Sequence, residues 1–283
     1  MTQECIALKR IIVFRFHKLP AICLERIHFL RRLNPSIEIF GLFGGDGDDL
    51  PVFKSTLGSS LAHIYSVAPH SPVWKWRFSD LVFCEWFRNI GSSVAFDVAH
   101  LIEWDLLLCE PLDKMYAHIT VGSLGLTAIR PVKDVEADWQ PTALEPFCLE
   151  WRELLRWARH THSYSAEPHA CLGPGYCLPR AFLESYSHFS MPELSLDELR
   201  LPLAAQLLGV PWADTRLCRA WFMEDELRLF NTIKKEVLPA TVARELQQPK
   251  GRRAFHPVPT SFAEISSLIA PAIRRAELAR STG

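Results

Sequence analysis

The stretch HLIEWDLLLCEPLDKMY, residues 100–116, sets two carboxylates one residue apart, Glu103 and Asp105, in a run that otherwise reads as buried strand. An unpaired charge in such a place costs several kcal/mol. The pair is therefore either compensated or open to a cleft. The run SSVAFDVAHLIEWDLLL, 92–108, supplies the strand, and both acids fall at or just past its carboxyl end. In open α/β sheets ligands bind outside the carboxyl ends of the strands. The two acids thus predict a cleft, and the rest of the chain has to supply the sheet.

Outward from this stretch, RIIVFRFHK (10–18) is a β-branched and aromatic run of the buried-strand kind. LPAICLERIHFLRRLNP (19–35) opens with a proline, carries apolar residues at 22, 23, 27, 30 and 33, and stops at Asn34-Pro35, which predicts a helix. SIEIFGLFGG (36–45) reads as a second strand. Strand, helix and strand in that order predict a βαβ unit and a parallel sheet. VWKWRFSDLVFCEWFRNIG (73–91) is an amphipathic helix closed by Gly91. From about 117 onward the pattern is less regular. A polar loop is expected over 130–146, helices over 147–163, 195–209 and 261–280, and a Gly-Pro turn, short strand and helix over 173–187.

Composition narrows the class. The 283 residues are 48% hydrophobic, with nine Trp and seventeen Phe, enough for one large core. A net charge of −1 gives no nucleic-acid footprint. The eight cysteines form no C-x-x-C pair and stand among apolar neighbours, as free thiols in a reducing compartment do. The apolar run near the N-terminus is too short for a signal peptide, and no stretch has the length of a membrane span. These features predict a cytoplasmic protein. The last helix, with Arg274, Arg275 and Arg280, also allows peripheral contact with a membrane surface, although its apolar positions suit packing on the domain better. Neither G-x-G-x-x-G nor the G-x-x-x-x-G-K-[ST] phosphate loop occurs, which disfavours a dehydrogenase or P-loop enzyme.

Acid-x-acid at a strand end suits a hard divalent cation, Mn²⁺ or Mg²⁺, which takes few carboxylates and completes its shell with phosphate oxygens and water. The plainer reading is one solvated acid and one acid paired to an arginine. Asp46-Gly47-Asp48-Asp49 is a literal Asp-x-Asp, but it follows Gly44-Gly45 and reads as a polar turn. His160, His162, His169 and Cys171 match no standard zinc spacing. Arg15 leaves the first strand at its carboxyl end, where a base or phosphate would lie. Lys75, Arg77 and Asp80 are further nucleotide-side candidates, with a local Arg77–Asp80 pair as the bland alternative. Lys250, Arg252 and Arg253 suit either a diphosphate or a solvated loop. The aromatic residues from 74 to 104 read as core, with Trp104, between the acids, as the exception.

The segment HLIEWDLLLCEPLDKMY resembles the metal-binding segment of the GT-A glycosyltransferases, with Glu103 in place of the commoner first Asp. By that resemblance Asp105 binds the metal and Glu103 lies nearer the ribose or the metal's water shell. FRFHK and LFGGD resemble strand ends of the nucleotide-binding half. GPGYCLPRAFLESYS, with Gly175, is similar to the strand-to-helix segment behind the acceptor, and LDELRLPLAAQLLG to the Asp-Glu segment beside the reacting sugar. GRRAFHPV resembles the segment whose histidine, here His256, closes the metal shell. The resemblance implies a single GT-A-like α/β domain with a mainly parallel sheet: a nucleotide-binding half at about 8–116, an acceptor half at about 117–258 and a C-terminal helix at 259–283. It implies transfer of a sugar from a nucleoside-diphosphate donor to a hydroxyl acceptor. Asp197 or Glu198 would then act at the anomeric carbon, as base if the reaction inverts. Against this, Ser195-x-x-Glu198 is also a capping box, complicated by Pro202. A GT-A-shaped protein that binds a nucleotide or glycan without turnover, or serves as a partner in an assembly, is the competing class.

Overall fold

In the computed structural model residues 8–67, 69–233 and 235–261 are described, together with Ala270 and Arg274. The helix expected over 261–280 falls, but for isolated positions, outside them, as does Cys5. The chain begins with β1 (Arg10–Phe16), α1 (Pro20–Leu33) and β2 (Glu38–Phe43), the βαβ unit its sequence predicts. β1 and β2 run parallel, with Ile12 beside Ile39 and Phe16 beside Phe43. β1 is buried from Ile11 to Phe16, as a central parallel strand covered on both faces must be. Then follow α2 (Leu50–Leu57), β3 (Ile64–Ser66), α3 (Pro72–Arg77), α4 (Ser79–Asn89), β4 (Val98–Glu103), β5 (Leu107–Leu108) and α5 (Leu112–Met115). The helix expected over 73–91 is two helices, broken at Phe78.

The remainder comprises β6 (Leu124–Pro131), α6 (Gln140–Ala143), α7 (Phe147–His162), β7 (His169–Pro179), α8 (Arg180–Tyr186), α9 (Asp197–Leu207), β8 (Trp212–Asp214), α10 (Glu224–Leu227), α11 (Pro239–Gln247) and β9 (Ala254–Phe255). Seven strands form one sheet in the order β3-β2-β1-β4-β7-β6-β8, and β5 pairs with β9 in a small second sheet. β7 alone runs against its neighbours in the large sheet. This is the mainly parallel α/β class that the resemblance implies. β6 was not anticipated, and the Gly-Pro turn expected at 173–175 lies inside β7. There the β6–β7 register slips, so Gly173-Pro174-Gly175 bends a strand and does not end it.

Side chains alternate across β1 into two cores. Ile12, Phe14 and Phe16 pack with Cys23, Ile27 and Leu30 of α1. Ile11 and Val13 face the layer built by α4, α7 and α9. A third cluster joins Phe29 and Leu33 of α1 to Leu107, Val242 of α11 and Phe255. That cluster fixes the β5–β9 pair beside the carboxyl end of β4. The seven described cysteines are buried, and none is bonded to another of the seven. Among the described residues no helix is long and apolar enough to cross a membrane.

Candidate active site

Glu103 is the last residue of β4, opposite Arg15 of β1. The chain turns directly after it: Trp104 N–H donates to Arg15 O at 2.9 Å and Leu106 N–H to Glu103 O at 3.0 Å. Asp105 O accepts from Val258 N–H at 2.8 Å. Downstream, Leu107 pairs with Phe255 and Leu108 with Ala254, which delivers His256 to the two acids. His256 Nε2 lies 3.5 Å from Asp105 Oδ1 and 3.6 Å from Glu103 Oε2. Its Nδ1 lies 2.6 Å from Asn231 O. A carbonyl only accepts, so Nδ1 carries the proton and Nε2 is turned to the acids, the orientation a ligating histidine needs.

One ligating atom from each of Glu103, Asp105 and His256 fits within 4.8 Å of the others. One imidazole and two carboxylates suit a divalent cation of the Mn²⁺ or Mg²⁺ kind, with room left for ligand oxygens. The electrostatics agree with a site built for positive charge. Burial works against the His256 cation, but hydrogen bonding and attraction from Asp105 and Glu103 outweigh it and raise the imidazole to about 10. Burial likewise opposes the Asp105 carboxylate, and the bond to His256 and attraction from His256 outweigh it and lower the group.

The second cluster stands at the start of α9. Ser195 sits in the left-handed region at φ 67°, and Leu196, with no side-chain cap, begins the helix. The capping box is not made: among the described residues the buried Ser195 hydroxyl has no partner, and Glu198 Oε1 accepts instead from Gly173 N–H at 2.7 Å. Asp197 Oδ2 accepts from the hydroxyl of Ser79 and, at 3.5 Å, from that of Tyr176. Pro202 cannot donate to the carbonyl four residues back, which belongs to Glu198. The Cys171 thiol donates to that carbonyl at 3.4 Å. Burial, then the neighbouring Asp80, push Asp197 up to about 7. Burial, then Asp197, push Glu198 up to about 8, and Glu103 and His256 also act on it. The acid pair and the metal cluster therefore feel one another.

The remaining predicted residues divide differently. Arg15 bonds Glu103 Oε1 at 3.0 Å and Lys75 O at 3.1 Å. Lys75, 3% exposed, donates Nζ to Gly45 O at 3.0 Å, and Asp80 is fully buried in an ion pair with Arg200 at 2.8 Å, where Tyr186 also donates to it. Neither leaves side-chain surface for a nucleotide, contrary to the expectation. Arg77 pairs with Glu150, so the local Arg77–Asp80 pair is not formed. Trp104 is 2% exposed in the core, edge-on to His17 and under Lys18 Nζ, and offers no open face to a sugar. Gly175 is required by the backbone: at φ 88° a Cβ would lie 2.3 Å from Leu217 Cδ1. Arg252 is held bidentately by Glu226 and Arg253 by carbonyls and Glu110, so both are structural. Asp46 caps a short turn, as read. The residues that hold Asp197 and His256, namely Ser79 and Tyr176 for the acid and Asn231 for the histidine, escaped sequence reading. Ser79 and Tyr176 lie in segments read for other reasons, and Asn231 is in none.

No family model matches the chain, and no curated protein does. Solved structures with a similar course of chain include galactosyltransferase LgtC in complex with donor and acceptor sugar analogs, at 12% identity, over 73% of this chain and 74% of that one, with a TM-score of 0.42. The mannosyltransferase PcManGT of Pyrobaculum calidifontis, in complex with GDP-Man and Mn²⁺, aligns at 11% identity over 99% of this chain and 76% of its own, TM-score 0.44. Mouse xyloside xylosyltransferase 1, in its apo form, aligns at 12% identity over 72% and 83%, TM-score 0.36. At these scores the functional reading has to stand on the site.

Proposed function

We propose that the protein is a metal-dependent glycosyltransferase that moves a sugar from a nucleoside-diphosphate donor to a hydroxyl acceptor. One observation carries the reading. A His-Glu-Asp cluster fit for a divalent cation lies at the carboxyl edge of a mainly parallel sheet, within electrostatic reach of a buried, proton-hungry carboxylate pair. Residues about 8–116 would form the donor half and about 117–258 the acceptor half.

Asp105, Glu103 and His256 would hold Mn²⁺ or Mg²⁺, which when bound supplies positive charge to the departing diphosphate. The chain's own groups do the rest. Asn231 holds the His256 tautomer, and the turn after β4 aims both acids at one point. Glu198 anchors one oxygen on the Gly173 N–H and turns the other to the acceptor, whose hydroxyl proton it takes. Asp197, engaged by Ser79 and Tyr176, keeps Glu198 basic by like-charge repulsion and by fixing the start of α9. This division of labour assigns the base to Glu198 rather than to Asp197.

Calorimetric titration of UDP and of GDP, with Mn²⁺ and with EDTA, tests the site on wild type and Asp105→Ala. The expected outcome is metal-dependent binding of one of them, lost in the variant. Release of nucleoside diphosphate from a donor sugar separates transfer from binding without turnover. Binding with no release above blank would favour the latter.

A further inference from the structure

The first acid of the pair is a glutamate, one methylene and one rotatable bond longer than an aspartate, and a longer carboxylate has to be held still to serve a fixed cation. Arg15 occupies the place where that could be done. It stands beside Glu103 in the β1–β4 register, with its side chain 11% exposed. One arm of its guanidinium takes Glu103 Oε1 and the other takes Lys75 O in α3. Lys75 in turn ties α3 to Gly45 at the end of β2. The planar fork is thus anchored before it meets the carboxylate, and its orientation is set by β1, β2 and α3 together. With Oε1 occupied, the oxygen left to the cluster is Oε2, the one that faces His256.

We infer that Arg15 is a positioning residue: it holds Glu103 as a one-oxygen metal ligand. The role rests on the metal reading above. It gives Arg15 a role apart from the nucleotide contact expected of it, since each terminal nitrogen of its fork already has a protein acceptor. The inference has a sign that other roles do not share. A cation beside a metal site repels the metal, so its simple removal should tighten metal binding. A purely structural arginine should change the melting temperature and leave affinity unmoved. A positioning arginine should weaken metal binding when removed, because partners of metal ligands are worth about 10–100-fold in affinity.

The test measures free Mn²⁺ by electron paramagnetic resonance during titration of the protein, with no nucleotide present, so it does not depend on turnover. Wild type is compared with Arg15→Met, Arg15→Lys, Glu103→Gln and the Arg15→Met/Glu103→Gln double variant. Arg15→Met is expected to weaken Mn²⁺ binding about tenfold. Arg15→Lys keeps the charge but not the fork and should also weaken it. The double variant should bind no worse than Glu103→Gln alone, since Arg15 acts through that carboxylate. Unchanged or tighter binding in the Arg15 variants, or full additivity with Glu103→Gln, overturns the inference and leaves the metal site standing. No Mn²⁺ binding by wild type overturns the metal reading and the inference with it. Should Arg15→Met fail to fold, judged by its melting transition, Arg15→Lys carries the same comparison.

Discussion

Glu198 has been given a difficult position for a carboxylate: burial and a neighbouring acid both resist its charge, and Gly173 N–H donates to it. Two consequences run in opposite directions. The base proposed here works only when ionised, so kcat/KM should climb with pH through about 8 and then level. With Asp197 raised to about 7, the profile belongs to the pair rather than to either acid. Glu198→Gln should lower kcat by about 10²–10⁴, measured at saturating donor and acceptor. For stability, a carboxyl raised above its ordinary value of 4.5 binds its proton more tightly in the folded chain than in the unfolded one. Its contribution is full at low pH and fades as pH rises from about 4.5 to about 8. Glu198→Gln cannot ionise and should therefore melt above wild type beyond about pH 8 while being nearly inactive. A variant less stable than wild type there would contradict the burial argument. His256 gives a second check at this scale. Without metal the two acids raise it to about 10, so it is protonated near neutrality, and a cation that takes Nε2 must expel that proton. Mn²⁺ titrations near neutral pH in buffers of different ionisation heat should report about one proton released per ion. A buffer-independent heat would remove His256 from the metal shell.

At the scale of elements, the cluster exists because a two-residue strand late in the chain pairs with a two-residue strand just past Asp105. Pairs so short hold their place through the groups around them. Arg252, next but one before β9, is gripped by both oxygens of Glu226, each at 2.8 Å, and its side chain is 6% exposed. Arg252→Met would leave a buried carboxylate with the Arg219 N–H and the Cys218 thiol as partners but no counter-charge, and should cost about 3–5 kcal/mol in denaturant unfolding. A loss below about 1 kcal/mol would mean that the pair is solvated, as surface pairs are. The arginine that looked like a diphosphate ligand is thus an anchor for the histidine. The same contrast marks what the sequence could and could not disclose. β1, α1 and β2 were legible because their signals are local: β-branched runs, a helical stripe, a proline at one end and glycines at the other. The acid-x-acid turn was legible because charge at a strand end is anomalous wherever it occurs. Partner choice was not. In sequence Asp80 reads as a partner for Arg77, three residues back, but the break at Phe78 puts the two on different helices and Asp80 pairs with Arg200, 120 residues away. Ser195-x-x-Glu198 is spelled as a capping box, yet Glu198 is claimed by a strand bend 25 residues upstream. β6 was missed, and β7 was foreseen only as a short strand after a turn, because glycine and proline punctuate them, and only pairing on both sides of β7 overrides that punctuation.

For the whole molecule, a net charge of −1 means that no long-range field draws a doubly charged donor phosphate in. Locally the situation is worse for an anion. Glu103, Asp105, Asp197 and Glu198 gather around one edge of the sheet, while Arg15, Lys75 and Arg252 are tied to protein acceptors and Lys18 lies over the Trp104 ring. His256 offers the cluster positive charge, but the two acids hold it. A nucleoside diphosphate entering this edge without a metal would meet more repulsion than attraction, and a metal without a diphosphate would complete its shell with water alone and lack the diphosphate's negative charge. Each should therefore promote the other's binding, by the same factor in both directions. The molecule's melting temperature can read this coupling directly, because a ligand that binds only the folded chain stabilises it by about 2.7 kcal/mol at a hundred times its dissociation constant. For a chain of this size that is about 5 °C. With UDP or GDP in EDTA the shift should be absent. With Mn²⁺ alone it should be small. With Mn²⁺ and the preferred nucleotide together it should exceed the sum of the two, and Asp105→Ala should abolish the excess. Additive shifts would mean that metal and nucleotide occupy separate places, and the cluster at the end of β4 would then be a metal site without a donor beside it.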